Sequence, residues 1–417
     1  MPVTNLFTDA FKSKSSSGEK AHRVRVKVEE NPSGGFRNIL ALGLVSFFTD
    51  ASSEMCFGLL PSFILSELGG TVGVLGLIEG LAESLSYILR VISGALSDRF
   101  RRRKPLVFAG YCLSAVVKPF FAAAQSWVDV LAVRLGDRVG KGVRTAPRDA
   151  LLSESIGEKR IGAAFGLHRT LDQLGAIVGP ILASGLIVFF SLSIREVFLF
   201  SLIPGLAAVA VLATFVREVA GQPVKRRFLS DLGRVLKGRF PLLLVVVGVF
   251  SAGAFNFSFI LVKAGELGVT EALLPLVYGV INIAHTLSAI PAGLLSDRFG
   301  REKVLVAGYG VFLTSTLMLL LHGSPLYGFL IAFVYGVYVG VIETIQRAVV
   351  PSYVPGELRG TGYGLYYLVA GSSFLIANTL VGFLWERIGI EAVTAYSTAT
   401  TVSAIVGMTF LARRSRS

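Results

Sequence analysis

Charge is scarce in this chain. Only 16% of its 417 residues are Asp, Glu, Lys or Arg, against about 25% in soluble domains. Hydrophobic residues make up 53% and the mean hydropathy is +0.67, so most of the chain is suited to lipid or to other apolar helices. Cysteine is nearly missing: Cys56 and Cys112 both sit in apolar runs, which argues against a disulfide framework. The four histidines, His22, His168, His285 and His322, form no metal-spaced cluster with cysteine. There is no nucleotide loop and no nucleophile elbow. An enzyme, a metal, a cofactor and ATP drive are therefore all unsupported. Four Gln and six Asn are few, a depletion of thermolabile amides that suits a thermophilic source. No cleavable signal peptide is visible, and residues 1–37 are polar and mixed in charge, around Ser15-Ser16-Ser17-Gly18. They are expected to be a disordered tail.

What the chain has is long apolar runs. Twelve of them, each roughly 20 residues or more and so long enough to cross a bilayer as a helix, fall near 38–65, 71–96, 105–125, 127–151, 162–190, 195–216, 240–263, 271–295, 304–322, 325–350, 361–385 and 391–412. An even number of crossings puts both termini on one side. The loops and tails on that side carry 28 Lys and Arg; the opposite loops carry three, Arg195, Lys263 and Arg387. The positive-inside rule then places both termini in the cytoplasm of a multi-pass protein of the cell membrane. The net charge of +13 is thus a topology signal, and a nucleic-acid footprint is not expected.

A repeat divides the chain. Gly94-Ala95-Leu96-Ser97-Asp98-Arg99-Phe100-Arg101-Arg102-Arg103-Lys104 returns 199 residues later as Gly293-Leu294-Leu295-Ser296-Asp297-Arg298-Phe299-Gly300-Arg301-Glu302-Lys303. Arg148 and Arg347 are also 199 apart, as are Glu158-Lys159-Arg160 and Glu357-Leu358-Arg359. Related halves of this kind are a frequent transporter architecture. The expected organisation is a tail (1–37), a six-helix bundle (38–216), a cytoplasmic linker (217–239), a second six-helix bundle (240–412) and a short tail (413–417). The fold class is an all-α membrane protein of two pseudo-symmetric bundles. In the linker, Phe228, Leu232, Val235 and Leu236 recur at helical spacing beside basic residues, which suits a short amphipathic helix on the membrane surface.

The pattern G-x-L-S-D-R-x-x-R-R-K between the second and third spans, repeated between the eighth and ninth, resembles the major facilitator superfamily. The likeness covers the whole chain. Family members usually have Gly where Arg101 stands, whereas Gly300 keeps it. The resemblance implies a gating role for Gly94, Asp98, Arg99 and Arg102 and for Gly293, Asp297, Arg298 and Arg301, with Asp98 reaching across to the other half when the cytoplasmic gate is shut. The alternative reading of these loops, a cationic anchor alone, accounts for the arginines but not for Asp98 and Asp297 at matching positions.

Charges inside the spans are the candidate working groups. A charge at the bilayer centre costs roughly 2.5–3.5 kcal/mol on insertion scales. Arg90, Lys118, Arg134, Arg138, Lys141, Arg144, Arg148, Arg169 and Arg347, together with Asp50, Glu54, Glu79, Glu83, Asp137, Asp149, Asp172 and Glu343, must therefore pair or line a wet cavity. On the fourth span, Arg134, Arg138, Lys141 and Arg148 fall within about 80° of arc, and Pro147 is expected to bend it. The segment Arg138-Val139-Gly140-Lys141-Gly142 resembles the family's R-x-x-x-G motif, whose Arg is linked to proton transfer. Asp50 and Glu54, at i,i+4 on the first span, which lines the central cavity in the family, are the expected proton sites with Arg138. The competing reading is a fixed ion pair with the fourth span. Arg134, Lys141, His168, Arg169, Asp172, Glu343 and Arg347 are the expected substrate-cavity groups, with Arg169–Asp172 at i,i+3 as an ion pair.

Gly175, Gly179 and Pro180 on the fifth span resemble the family's antiporter motif, although Ala183 and Ser184 replace a usual Gly pair. Asn256, Asn282 and His285 are isolated polar groups that suit interhelical contacts. Tyr363, Tyr366, Tyr367 and Phe374 recur on the eleventh span and suit either packing or a drug-binding wall. The expected function is proton-coupled efflux of a small amphiphilic or drug-like compound by alternating access. Proton-coupled transport of an anionic metabolite is the alternative, and a non-transporting receptor or scaffold is the alternative of another class. Expected partners are a small-molecule substrate, protons and membrane lipids, with the protein a monomer.

Overall fold

A computed structural model describes residues 32–100, 102–155, 161–219, 228–355 and 358–414. Among these residues there is no strand. Twelve membrane helices run in chain order. The first half holds α1 (Pro32–Phe57, extended by turns to Glu67), α2 (Val72–Phe100), α3 (Lys104–Val117), α4 (Trp127–Glu154), α5 (Ile161–Phe190) and α6 (Ile194–Phe200 and Leu202–Phe215). The second holds α7 (Phe240–Gly253 and Phe257–Glu266), α8 (Leu274–Phe299), α9 (Arg301–Leu317), α10 (Pro325–Val349), α11 (Arg359–Arg387) and α12 (Ile390–Arg414). Residues 32–37, expected as tail, already belong to α1: Pro32 suits a first helical turn, where its missing N–H is not needed. The remainder of that tail, and residues 415–417, lie outside the described residues.

Eleven of these helices are long and apolar enough to cross a membrane. The exception is α4, because its 28 residues carry the chain's densest intramembrane charge. Packing supplies what composition withholds: α4 lies between α2 and α3 and buries Arg134, Asp137, Arg138 and Arg144 there. It starts on a capping box, with the Ser126 hydroxyl accepting from Asp129 N–H and the Asp129 carboxylate accepting from Ser126 N–H. It then runs without interruption through Pro147.

The two halves repeat one packing plan. In the first, α1 packs on α5 and α6, α4 on α2 and α3, and α3 on α6; in the second, α7 packs on α11 and α12, α10 on α8 and α9, and α9 on α12. The halves meet along two seams, α2 against α11 and α5 against α8. Each seam joins the second helix of one half to the fifth of the other, as pseudo-symmetry requires. On the outside, large apolar side chains stand free of protein contact, Phe189 82% exposed and Ile290 74% exposed among them. Such exposure is unfavourable in water and natural in lipid.

Glycine sets the closest approaches. A side chain at Gly175 would run into the Phe47 carbonyl of α1, and one at Gly179 into that of Ala51. The fifth-span motif thus lets α5 lie backbone to backbone on α1, while Pro180 faces Gly279 of α8. Gly300 has φ +96° between α8 and α9, a conformation that a residue with a Cβ rarely adopts. Its counterpart Arg101 lies outside the described residues. The linker forms a helix, Phe228–Val235, that packs on α11. Its Val235 is buried and Leu236 exposed.

Candidate functional site

A cavity of about 340 Å³ lies between the halves. Its lining comes from the middle of α1, the mid-to-late turns of α2, α4 and α10, the early-to-mid turns of α5, α8 and α11, and the break in α7. The cavity therefore spans from mid-membrane toward the end where both termini lie. Arg169, Glu343 and Arg347, each with 44–49% of the side chain exposed, bring solvent to it at that end. The other end is shut: Ser62 donates to Glu271 at 2.7 Å, Gly73 N–H donates to Glu386 at 3.1 Å, and Gly58 presses on Pro275 and Gly76 on Asn378.

The wall from the first half is charged. Asp50 and Glu54 of α1 both line the cavity. Asp50 lies beside Asp172 of α5, and Glu54 beside Tyr278 of α8. Asp172 also accepts from Ser46 at 2.5 Å and from Arg169 at 2.7 Å. Two ionised carboxylates so placed repel, and a proton shared between them would remove that repulsion. Neither Asp50 nor Glu54 makes the fixed ion pair with α4 that was the competing expectation.

The α4 arginines take their acids from α2 instead. Arg134 pairs with Glu79 at 2.7 Å and Arg138 with Glu83 at 2.9 Å. Both pairs join residues 55 apart, one helical turn from each other, so α2 and α4 run parallel and form a two-rung ladder. The Phe57 ring lies against both guanidiniums, 3.7 Å from Arg134 and 5.2 Å from Arg138. Arg134 is 0% exposed and does not line the cavity; its expected role there is corrected to a sealed structural pair. Arg138 does line the cavity.

His168, another expected cavity group, is also corrected: it is buried and outside the lining. Lys141, Arg169, Asp172, Glu343 and Arg347 all line it. Arg169 joins the halves, 3.3 Å from Glu343 and 3.4 Å from His285, beside Glu343–Arg347 at 3.6 Å. Asn282 adds a second tie, donating to the Ala176 carbonyl at 2.8 Å.

The second half supplies most of the aromatic lining, beside His285, Glu343 and Arg347. Tyr278, Tyr335, Tyr338, Tyr366, Tyr367 and Phe374 face the cavity, joined by Tyr87 of α2. Tyr363, expected in the same stripe, instead donates to the Arg347 carbonyl at 3.3 Å. Sequence reasoning missed Tyr87, Tyr278, Tyr335 and Tyr338, which come from three helices. Only Tyr335 and Tyr338, three apart on α10, offered a local pattern. Of the gating motif, Gly94, Asp98 and Arg99 fall in the last turns of α2, whose side chains are outside the described residues. Arg102, Asp297 and Arg298 are exposed, and Arg301 donates to Ser352 at 3.0 Å.

The model of the Major Facilitator Superfamily matches residues 42–280 and 242–417. The chain belongs to the Major Facilitator Superfamily. An MFS-type transporter of Methanocaldococcus jannaschii is 33% identical over 367 residues, covering 86% of this chain and 91% of that one. The multidrug resistance protein MdtG of Escherichia coli is 26% identical over 297 residues, or 66% of this chain and 70% of that one. Among solved structures, the nucleoside transporter NupG superposes with a TM-score of 0.76 at 13% identity, covering 90% of this chain and 99% of that chain. The protein is thus a multi-pass membrane transporter of this superfamily, with a charged and aromatic cavity between its halves.

Proposed function

We propose that this transporter exports a small amphiphilic compound in exchange for protons. The observation that carries this reading is the contact of Asp50 with Asp172 in the cavity, next to Arg169, which also reaches across to Glu343. A proton held between the two acids is released when one of them moves away or when Arg169 turns fully to Asp172. Arg169 touches both halves, so rocking the halves changes what Asp172 is bonded to. Proton binding and conformation are thereby linked through one side chain.

Export rather than uptake is supported by the Gly175–Gly179–Pro180 motif and by the likeness to a multidrug resistance protein. The distribution of Lys and Arg supports a cell-membrane location with both termini cytoplasmic. On that orientation the cavity opens inward. The test is a screen in proteoliposomes with a pH-sensitive dye. Substrate addition should move protons opposite to substrate, and Asp50→Asn should abolish that movement. Unchanged proton movement in Asp50→Asn sinks the assignment.

A further inference from the structure

The ladder between α2 and α4 runs out of acids. Its rungs are Glu79–Arg134 and Glu83–Arg138. One turn further on, α2 presents Tyr87 where a third acid would stand, followed by Arg90; α4 presents Gly142 in register with Tyr87, and Lys141 next to it. Both cations line the cavity. Among the described residues no carboxylate lies within ion-pair distance of either. Glu83, the acid of the rung before, is already bonded to Arg138. The neighbours of Lys141 include two like charges, Arg138 and Arg90. The Arg90 Nε is buried without a hydrogen-bond partner, while its guanidinium sits 5.1 Å from the centre of the Tyr87 ring.

Cations gathered in a cavity without an anion between them are costly, because repulsion and lost hydration add. A guanidinium and an ammonium that line one cavity can both donate to a carboxylate placed between them. Tyr87 is itself part of an aromatic group: Tyr367 lies 5.7 Å away, and Phe374 lies 6.2 Å away and nearly parallel. Rings beside a cation pair suit a flat apolar body joined to an acid group.

The geometry points to a substrate subsite in which an aromatic acid completes the third rung, its carboxylate between Arg90 and Lys141 and its ring against Tyr87, Tyr367 and Phe374. This rests on the transport reading and gives its substrate a chemical class. An acid so placed also covers the charge of Lys141, which lines the same cavity as Asp50. Substrate and proton then compete for one electrostatic neighbourhood, as exchange requires.

Titration calorimetry on the full chain purified in detergent tests the subsite with naphthoate, naphthylmethylammonium and decahydronaphthoate. Naphthoate should bind and the ammonium should not. The saturated acid should bind several-fold more weakly, for want of a π face. Arg90→Gln and Lys141→Gln should each weaken naphthoate about tenfold or more. Lys141→Arg should keep binding, which separates loss of charge from loss of fold. Tyr87→Leu should erase the preference for the aromatic ring. Equal binding of acid and ammonium, no naphthoate binding, or wild-type affinity in both Gln variants overturns the subsite. Naphthoate binding without proton-linked flux of any compound retains the subsite and removes the exchange reading. Proton-linked export of the ammonium, with no binding of naphthoate, does the reverse.

Discussion

Removing the Glu79 carboxylate is the most direct perturbation of the α2–α4 ladder. Arg134 is 0% exposed and its partner 1%. Its Nε and Nη1 already lack hydrogen-bond partners, so Glu79 supplies its one charge-assisted bond, at 2.7 Å, and the Phe57 face supplies the rest. In Glu79→Gln the guanidinium stays charged and dry and loses its paired carboxylate. Breaking a buried pair on one side costs about 3–5 kcal/mol. For a cooperative unit the size of one six-helix bundle, each kcal/mol corresponds to roughly 2–4 °C in Tm. The expected fall is therefore on the order of 10 °C in thermal unfolding of the detergent-purified protein. Arg134→Met should fall comparably. The double variant Glu79→Leu/Arg134→Met should recover most of the loss, because an apolar pair of similar volume replaces an ion pair at little cost. Naphthoate affinity should not change in Arg134→Met, since Arg134 does not line the cavity. A shift of only a degree or two in Glu79→Gln, or additive losses in the double variant, would refute the reasoning.

Three further outcomes are expected. Gly175→Val places a branched side chain against the Phe47 carbonyl, so α1 and α5 must separate at a cost of about 1–3 kcal/mol or more, read as a lower Tm and lost transport. Arg169→Gln removes the tie between α5 and α10; both partners are nearly half exposed, so stability should change by less than about 1 kcal/mol, while distances between spin labels on those helices broaden. Gly300→Ala must hold φ near +96° with ψ near 143°, costing about 1–3 kcal/mol; an unchanged Tm would mean that the α8–α9 turn relaxes to another backbone form.

The fold was legible because lipid enforces it. With no water to satisfy backbone groups, apolar runs of this length become helices, and the repeat at half-length announced two bundles of equal size. The site was legible in kind, since intramembrane charge marks function or pairing. The spacing Glu79/Glu83 and Arg134/Arg138 was present in the sequence, both acids and both arginines one turn apart. Spacing alone could not say whether α4 would spend its arginines on α2 or on Asp50 and Glu54. That choice depends on helix rotation and on which neighbour lies within 3 Å.

The sequence by itself determined that this chain is a twelve-span membrane protein of two like halves, with Asp50, Glu54, Arg138 and Lys141 among the few charges its helices would carry inside. Local patterns suffice for that, because hydropathy and charge act along the chain. Only the tertiary structure decided that Arg134 is sealed with Glu79 and that Arg169 bridges the halves. Those facts arise from contacts between residues 55 to 174 positions apart, where packing of whole helices, and not the neighbouring sequence, selects each charge's partner.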